Sequence, residues 1–194
     1  MRIFGVILAG GQARRMGGAD KALLRLAGLS LLDRAVARLE PQVERLAISA
    51  NGAPARFAGL RLPVLADDAP MGPLSGILAA LRWAAPLGAT AVVSVPVDCP
   101  FLPGDLVPRL VLAAETGGPA LAHSGAALHP TCALWPVNLA GPLAAFLASG
   151  VKARVRDFAD LHGAALAPFA DADAFANLNS PEDLARAEAL LATA

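Results

Sequence analysis

Short runs of consecutive apolar residues alternate along this chain with stretches whose apolar positions recur every third or fourth residue. RIFGVILA (2–9) is short, rich in β-branched residues and followed by glycine, which predicts a buried strand. LSLLDRAVARLE (29–40) predicts a helix with Leu32, Ala35, Val36 and Leu39 on one face and Pro41 as its stop. RLAIS (45–49) and LPVLA (62–66) predict two further strands. In GPLSGILAALRWAA (72–85), Leu74, Ile77, Leu78 and Leu81 fall at i, i+3, i+4 and i+7, the stripe of an amphipathic helix. TAVVSVPV (90–97) predicts a central strand, and GDLVPRLVLAAE (104–115) a helix with Pro108 in its first turn. The order β-α-β-β-α-β-α belongs to an α/β protein with a mostly parallel sheet and helices on both faces.

The remainder departs from that order. PALAH (119–123), HPTCALW (129–135) and AALAPF (164–169) predict strands, and NLAGPLAAFLAS (138–149) and SPEDLARAEALLA (180–192) helices. The last opens on Ser180 as N-cap and Pro181 at the first helical position, with Asp183 closing a capping box. With no repeat, low-complexity tract or linker, residues 1–194 read as a single domain.

Composition narrows the function classes. Sixteen basic and sixteen acidic residues cancel, so no bulk charge points to nucleic acid or an anionic membrane. Although 56% of residues are hydrophobic, no apolar run approaches the roughly 18–20 residues of a membrane span. Arg2 followed by IFGVILA imitates a signal peptide, but Gly10-Gly11 and Arg14-Arg15 stand where a cleavage site should follow. Cys99 and Cys132 lack metal-type spacing and read as reduced thiols. The expectation is a soluble cytoplasmic protein. Only Lys21 and Lys152 among the sixteen basic residues are lysine, in a chain that otherwise uses arginine. A compact ammonium differs chemically from a planar fork, so these two positions stand out.

LAGGQARRMGGADK (8–21) leaves the first predicted strand at its carboxyl end, where open parallel sheets bind ligands. Its glycines let backbone N–H groups approach an anion, and Arg15 and Lys21 add charge, a combination suited to a polyphosphate. It is neither a Walker A loop nor a dinucleotide fingerprint, and a solvated glycine-rich turn is the alternative. VPVDCPFLP places Asp98 after a central strand at the same sheet edge. A carboxylate there can hold Mg²⁺ with substrate phosphates, or cap the next helix, for which Asp105 is better placed.

Together these residues resemble the nucleotidyltransferases that transfer NMP from an NTP, whose signature is LAxGxxxRMGxxK. Within them the chain is similar to the molybdenum cofactor guanylyltransferases. It shares their LAGG loop, an ISANG segment, VLADDAPMGPLSGI, HPTCALW and NLNSPEDLARAE, in order from residue 3 to 188. The resemblance implies a three-layer α/β/α Rossmann-like fold, GTP and molybdenum-bearing molybdopterin as substrates, and Mg²⁺ as cofactor. It implies a monomer whose further partners are molybdenum-insertion proteins and client molybdoenzymes. Carried over, Leu8, Ala9, Gly10 and Gly11 line the nucleotide, Arg15 and Lys21 hold the triphosphate, and Asp98 meets GTP and the metal. Asp67 or Asp68 contacts the nucleotide. The family's first asparagine of an NxN pattern is Ser49 here, so Ser49 or Asn51 makes that contact, and the arginine that often follows is Gly52. Lys152, Arg154, Arg156, Asn177 and Asn179 are the candidates for the pterin side, Lys152 to Arg156 having a solvated helix face as the alternative. His129 is a site or turn residue, and Trp83, Trp135 and Cys99 read as core. Another transferase of the superfamily and a cofactor-carrying binding module are the rival functions.

Overall fold

The computed structural model describes residues 1–10, 12–13, 19–67, 71–150, 152 and 154–193. Among these residues seven strands form one sheet: β1 (Ile3–Leu8), β2 (Arg45–Ser49), β3 (Val64–Leu65), β4 (Ala91–Pro96), β5 (Ala120–Ser124), β6 (Ala127–Pro136) and β7 (Ala165–Phe169). Their spatial order is β7-β5-β6-β4-β1-β2-β3. Every pairing is parallel except the two that β6 makes with β4 and β5. Among the described residues six α-helices cover the sheet: α1 (Leu31–Leu39), α2 (Pro73–Ala84), α3 (Leu106–Ala113), α4 (Ala140–Ala148), α5 (Val155–Leu161) and α6 (Pro181–Thr193).

Alternation along β1 sorts the helices into two layers. Ile3 and Ile7 point to a core shared with Leu32, Ala35 and Leu39 of α1, Leu106 and Leu110 of α3 and Ala187 of α6. Phe4 and Val6 point to the opposite core, with Leu74, Ile77 and Leu81 of α2, Leu143 of α4 and Phe158 of α5. The fold is therefore a three-layer α/β/α arrangement around a mostly parallel sheet. No helix of the described residues is long and apolar enough to cross a membrane.

Capping places the helix starts. Ser30 and Asp33 form a capping box at α1, and at α6 Asp183 N–H donates to Ser180 Oγ at 3.2 Å while Ser180 N–H returns the bond to Asp183 Oδ2 at 3.0 Å. Asp105 stands at the N-cap of α3, but its carboxylate pairs with Arg109 at 2.5 Å and caps nothing. Two features were not in the pattern. A two-residue ladder, Arg25–Leu26 with Leu29–Ser30, precedes α1, so that helix starts at Leu31. α5 is short, and only Phe158 and Ala159 of it are buried, too little apolar signal for a periodicity.

Tryptophan and glycine set the packing. Trp135 is fully buried and its indole N–H donates to Ser94 Oγ at 2.9 Å, while Trp83 packs on Phe4. Gly5 on β1 lets α1 lie close, since a Cβ there would come within 2.9 Å of Leu46 Cδ1 and 3.1 Å of Leu39 Cδ2. Gly5→Ala is expected to cost about 1–3 kcal/mol by overpacking. At roughly 2–4 °C per kcal/mol for a chain of this size, a thermal melt should read this as a midpoint several degrees lower. An unchanged midpoint would show that these leucine ends yield freely.

Candidate active site

From β1 the chain runs outward to β2 and β3, then returns to place β4 on the other side of β1. A crevice opens beyond the strand ends at such a reversal. The register sets Leu8 beside Ser49 of β2 and Pro96 of β4, so the residues that follow each strand come abreast. The cleft there has a volume of about 320 Å³, and its lining includes Leu8, Gly10, Lys21, Ser49, Asn51, Asp67 and Asp98.

The glycine-rich segment reaches the cleft by doubling back. Gln12–Ala13 pairs antiparallel with Ala19–Asp20, and Asp20 Oδ1 accepts the Ala22 N–H at 3.1 Å, capping the turn that starts at Lys21. Lys21 Nζ donates to Asp98 Oδ2 at 2.5 Å and to Asn179 Oδ1 at 2.6 Å. The Leu178 N–H donates to the Asp98 carbonyl at 3.0 Å, which pins the segment before α6 to the end of β4. The side chains of Lys21 and Asp98 are only 12% and 18% exposed, and Asp98 Oδ1 is buried without a hydrogen-bond partner. An ammonium carries three donors, of which two are accounted for, and the orphaned carboxylate oxygen is one acceptor in excess.

Asp67 closes the other end. Its N–H donates to Asn51 Oδ1 at 3.0 Å, Asn51 Nδ2 donates to Asp67 Oδ2 at 3.3 Å, and Ser49 Oγ lies 3.5 Å from Asp67 Oδ1. Ser49 and Asn51 thus both converge on Asp67. Gly72 and Pro73 bring the positive N-terminus of α2 to the wall of the cleft. Gly76 in its second turn keeps the floor clear, since a Cβ there would lie 2.3 Å from Ser49 Oγ.

Other sequence candidates fall elsewhere. Gly11, Arg15 and Asp68 lie outside the described residues. Ala9 is buried and its N–H is spent on the Ser49 carbonyl at 2.8 Å, so Leu8 and Gly10 line the cleft while Ala9 does not. Lys152, Arg154 and Arg156 are exposed and absent from the lining, with Arg156 facing Asp160 at 3.4 Å. Asn177 Oδ1 accepts the Cys99 thiol at 3.0 Å. Cys99 and Cys132 are buried free thiols whose mutual hydrogen bond, with burial, raises the Cys99 pKa and keeps it protonated. Sequence reasoning missed Thr131, Gly72 and Gly76 in the lining. Thr131 carries no signal of its own and is set by its carbonyl, which accepts from Ser94 Oγ at 2.8 Å. The two glycines lie in VLADDAPMGPLSGI, where no side chain marks them as part of a site.

The sequence matches the family model described as MobA-like NTP transferase domain over residues 5–164. It is 64% identical over 191 residues to the molybdenum cofactor guanylyltransferase of Cereibacter sphaeroides, covering 98% of each chain. It is 49% identical to that of Mesorhizobium japonicum, covering 97% of this chain and 96% of the relative. Among solved structures, molybdopterin-guanine dinucleotide biosynthesis protein A of Archaeoglobus fulgidus superposes with a TM-score of 0.80 at 21% identity, over 98% of this chain and 100% of that one. At that identity the superposition bears on the fold alone.

Beside the cleft, His129 Nε2 lies 2.7 Å from Ser124 Oγ and its ring stacks on Phe175 at 4.3 Å. Burial, and then the charge of His123, lower its pKa. The folded state therefore favours neutral His129. Its share of stability is complete above the unfolded value of about 6.5 and is lost as pH falls through the lower folded value. Melts taken between roughly pH 7.5 and 5.5 should show a larger loss of midpoint for wild type than for His129→Gln, and equal slopes would remove His129 as the cause.

Proposed function

We propose that this chain, which belongs to the MobA-like NTP transferase family, transfers GMP from GTP to molybdenum-bearing molybdopterin and releases pyrophosphate. The observation that carries this is the contact of Lys21 with Asp98 at 2.5 Å, at the carboxyl ends of adjacent parallel strands, with one carboxylate oxygen left over.

As a nucleotidyltransferase, the protein has mainly to position reactants and neutralise spreading charge. An oxygen of the acceptor's terminal phosphate attacks the α-phosphorus of GTP. The bond from that phosphorus to the bridging oxygen breaks, and pyrophosphate departs in line. The nucleophile is already an anion near neutral pH, so no general base is required. Lys21, oriented by Asp98 and Asn179, offers its remaining ammonium proton to the departing phosphates. Asp98 fits a hard divalent cation, because its buried Oδ1 lacks a partner and such ions take one or two carboxylates plus substrate phosphates. Mg²⁺ bound there would neutralise phosphate oxygens and polarise the α-phosphorus.

The base is assigned to the end framed by Leu8, Gly10 and the Asn51–Asp67 pair. A Cβ added at Gly10 meets nothing within 4 Å, so that position leaves open space at the wall. The acceptor is assigned to the side bounded by Thr131 and the segment Asn177–Asn179.

Pyrophosphate release with GTP, Mg²⁺ and molybdopterin tests this, with CTP as control. Asp98→Asn should lose on the order of a hundredfold or more in kcat, and Lys21→Ala should both raise the GTP KM and lower kcat. Undiminished turnover of Asp98→Asn would refute its assignment. Tight GTP binding without pyrophosphate release would favour a carrier instead. Gly10→Ala fills space beside the base and should lower the GTP:CTP ratio of kcat/KM several-fold, a ratio that stays put if Gly10 does not face the base.

A further inference from the structure

Next to the cleft lies a partly buried cation that the mechanism above does not use. Arg56 belongs to the 3-10 turn Pro54–Leu60, its side chain is 26% exposed, and it is absent from the cleft lining. Its Nε lies 2.7 Å from Asp20 Oδ2, its Nη2 donates to the Asn51 carbonyl at 2.8 Å, and its guanidinium lies 4.5 Å over the ring of Phe57. Asp20 is the residue whose other oxygen caps the turn bearing Lys21. Asn51 is the residue that holds Asp67. One fork therefore spans the triphosphate end and the base end of the cleft without entering it.

Gly52 makes room for this. It sits at φ +90°, and a Cβ there would lie 2.8 Å from Arg56 Nη1. The guanidinium that occupies the space beside this glycine comes from four residues downstream.

We propose that Arg56 is a positioning residue for the nucleotide: it fixes the separation of Lys21 from the Asn51–Asp67 pair, so that both ends of one nucleotide can be held at once. This rests on the assignment of the cleft to GTP. A partly buried guanidinium is suited to the task, because it pairs by charge with the Asp20 carboxylate at one edge and donates a hydrogen bond to the Asn51 carbonyl from another nitrogen, where an ammonium holds a single point.

The test is steady-state pyrophosphate release at varied GTP for wild type, Arg56→Met, Arg56→Lys, Asp20→Asn and the Asp20→Asn/Arg56→Met double variant. Methionine keeps an apolar stem over Phe57, and asparagine keeps the cap on the Ala22 N–H, so each removes the link and little else. Arg56→Met should raise the GTP KM roughly tenfold, the loss of a charged hydrogen bond. The acceptor KM should not change. Arg56→Lys should recover part of the loss by meeting Asp20 alone. The double variant should be no worse than the poorer single one, as coupled partners are. A lowered thermal midpoint with GTP KM unchanged would make Arg56 a brace of the fold and overturn the proposal, as would additive KM effects. If Arg56→Met does not fold, Asp20→Asn decides by the same KM. Wild-type protein that turns over no GTP would instead refute the assignment of the cleft itself, and this proposal with it.

Discussion

The site depends on one contact, the ammonium of Lys21 against the carboxylate of Asp98 at 2.5 Å. The two residues are 77 positions apart and meet because β1 and β4 are parallel neighbours whose ends, Leu8 and Pro96, share a register. Both side chains are largely withdrawn from water, so each charge is costly without the other. Removing either partner leaves an uncompensated charge inside the cleft. The unpartnered Asp98 Oδ1 adds to that cost, on the order of 1–3 kcal/mol for a buried acceptor without a donor. A protein retains such a defect where a ligand relieves it.

Everything around this contact restricts how it can move. Leu178 and Asn179 tie Asp98 and Lys21 to the segment before α6, whose own start is fixed by the reciprocal bonds of Ser180 and Asp183. Asn51 and Asp67 lock each other at the opposite end. Gly76 lets the first turns of α2 settle onto Ser49. The cleft is thus framed by separate stretches of chain held to one another by hydrogen bonds and, at α2, by close packing. Such preorganisation matters for phosphoryl chemistry, where little is asked of the protein beyond geometry and charge.

Much of this was legible in the sequence. β1, β2, β4, α1 and α2 announce themselves by apolar runs or by a stripe at helical spacing, and the start of α6 by its capping residues. Lys21 stood out as a lysine among arginines, and Asp98 as a carboxylate in an apolar setting. What was not legible has physical causes. A buried apolar run reads the same in either direction, so nothing in HPTCALW says that β6 is inserted antiparallel between β4 and β5. Asn179 stood only as a pterin-side candidate, and only the fold carries its amide across 158 positions to Lys21. Lys152, Arg154 and Arg156 formed a cluster in sequence, yet the chain leaves them exposed and outside the cleft. The convergence of Ser49 and Asn51 on Asp67 joins residues 16 to 18 positions apart, which a pattern read along the chain does not show.

The charge of the cleft carries the chemistry one step further. Among the described lining residues, one cation, Lys21, faces two carboxylates, Asp67 and Asp98. Its charge is already engaged with Asp98. The positive end of α2 adds at most about half an elementary charge at the wall of the cleft. A divalent cation seated on Asp98 would shift the balance toward an anion at the point where the orphaned oxygen lacks a partner. The pairing of Lys21 with Asp98 leaves each charge balanced by the other, and a cation on the second carboxylate oxygen would couple to any anionic ligand held beside it.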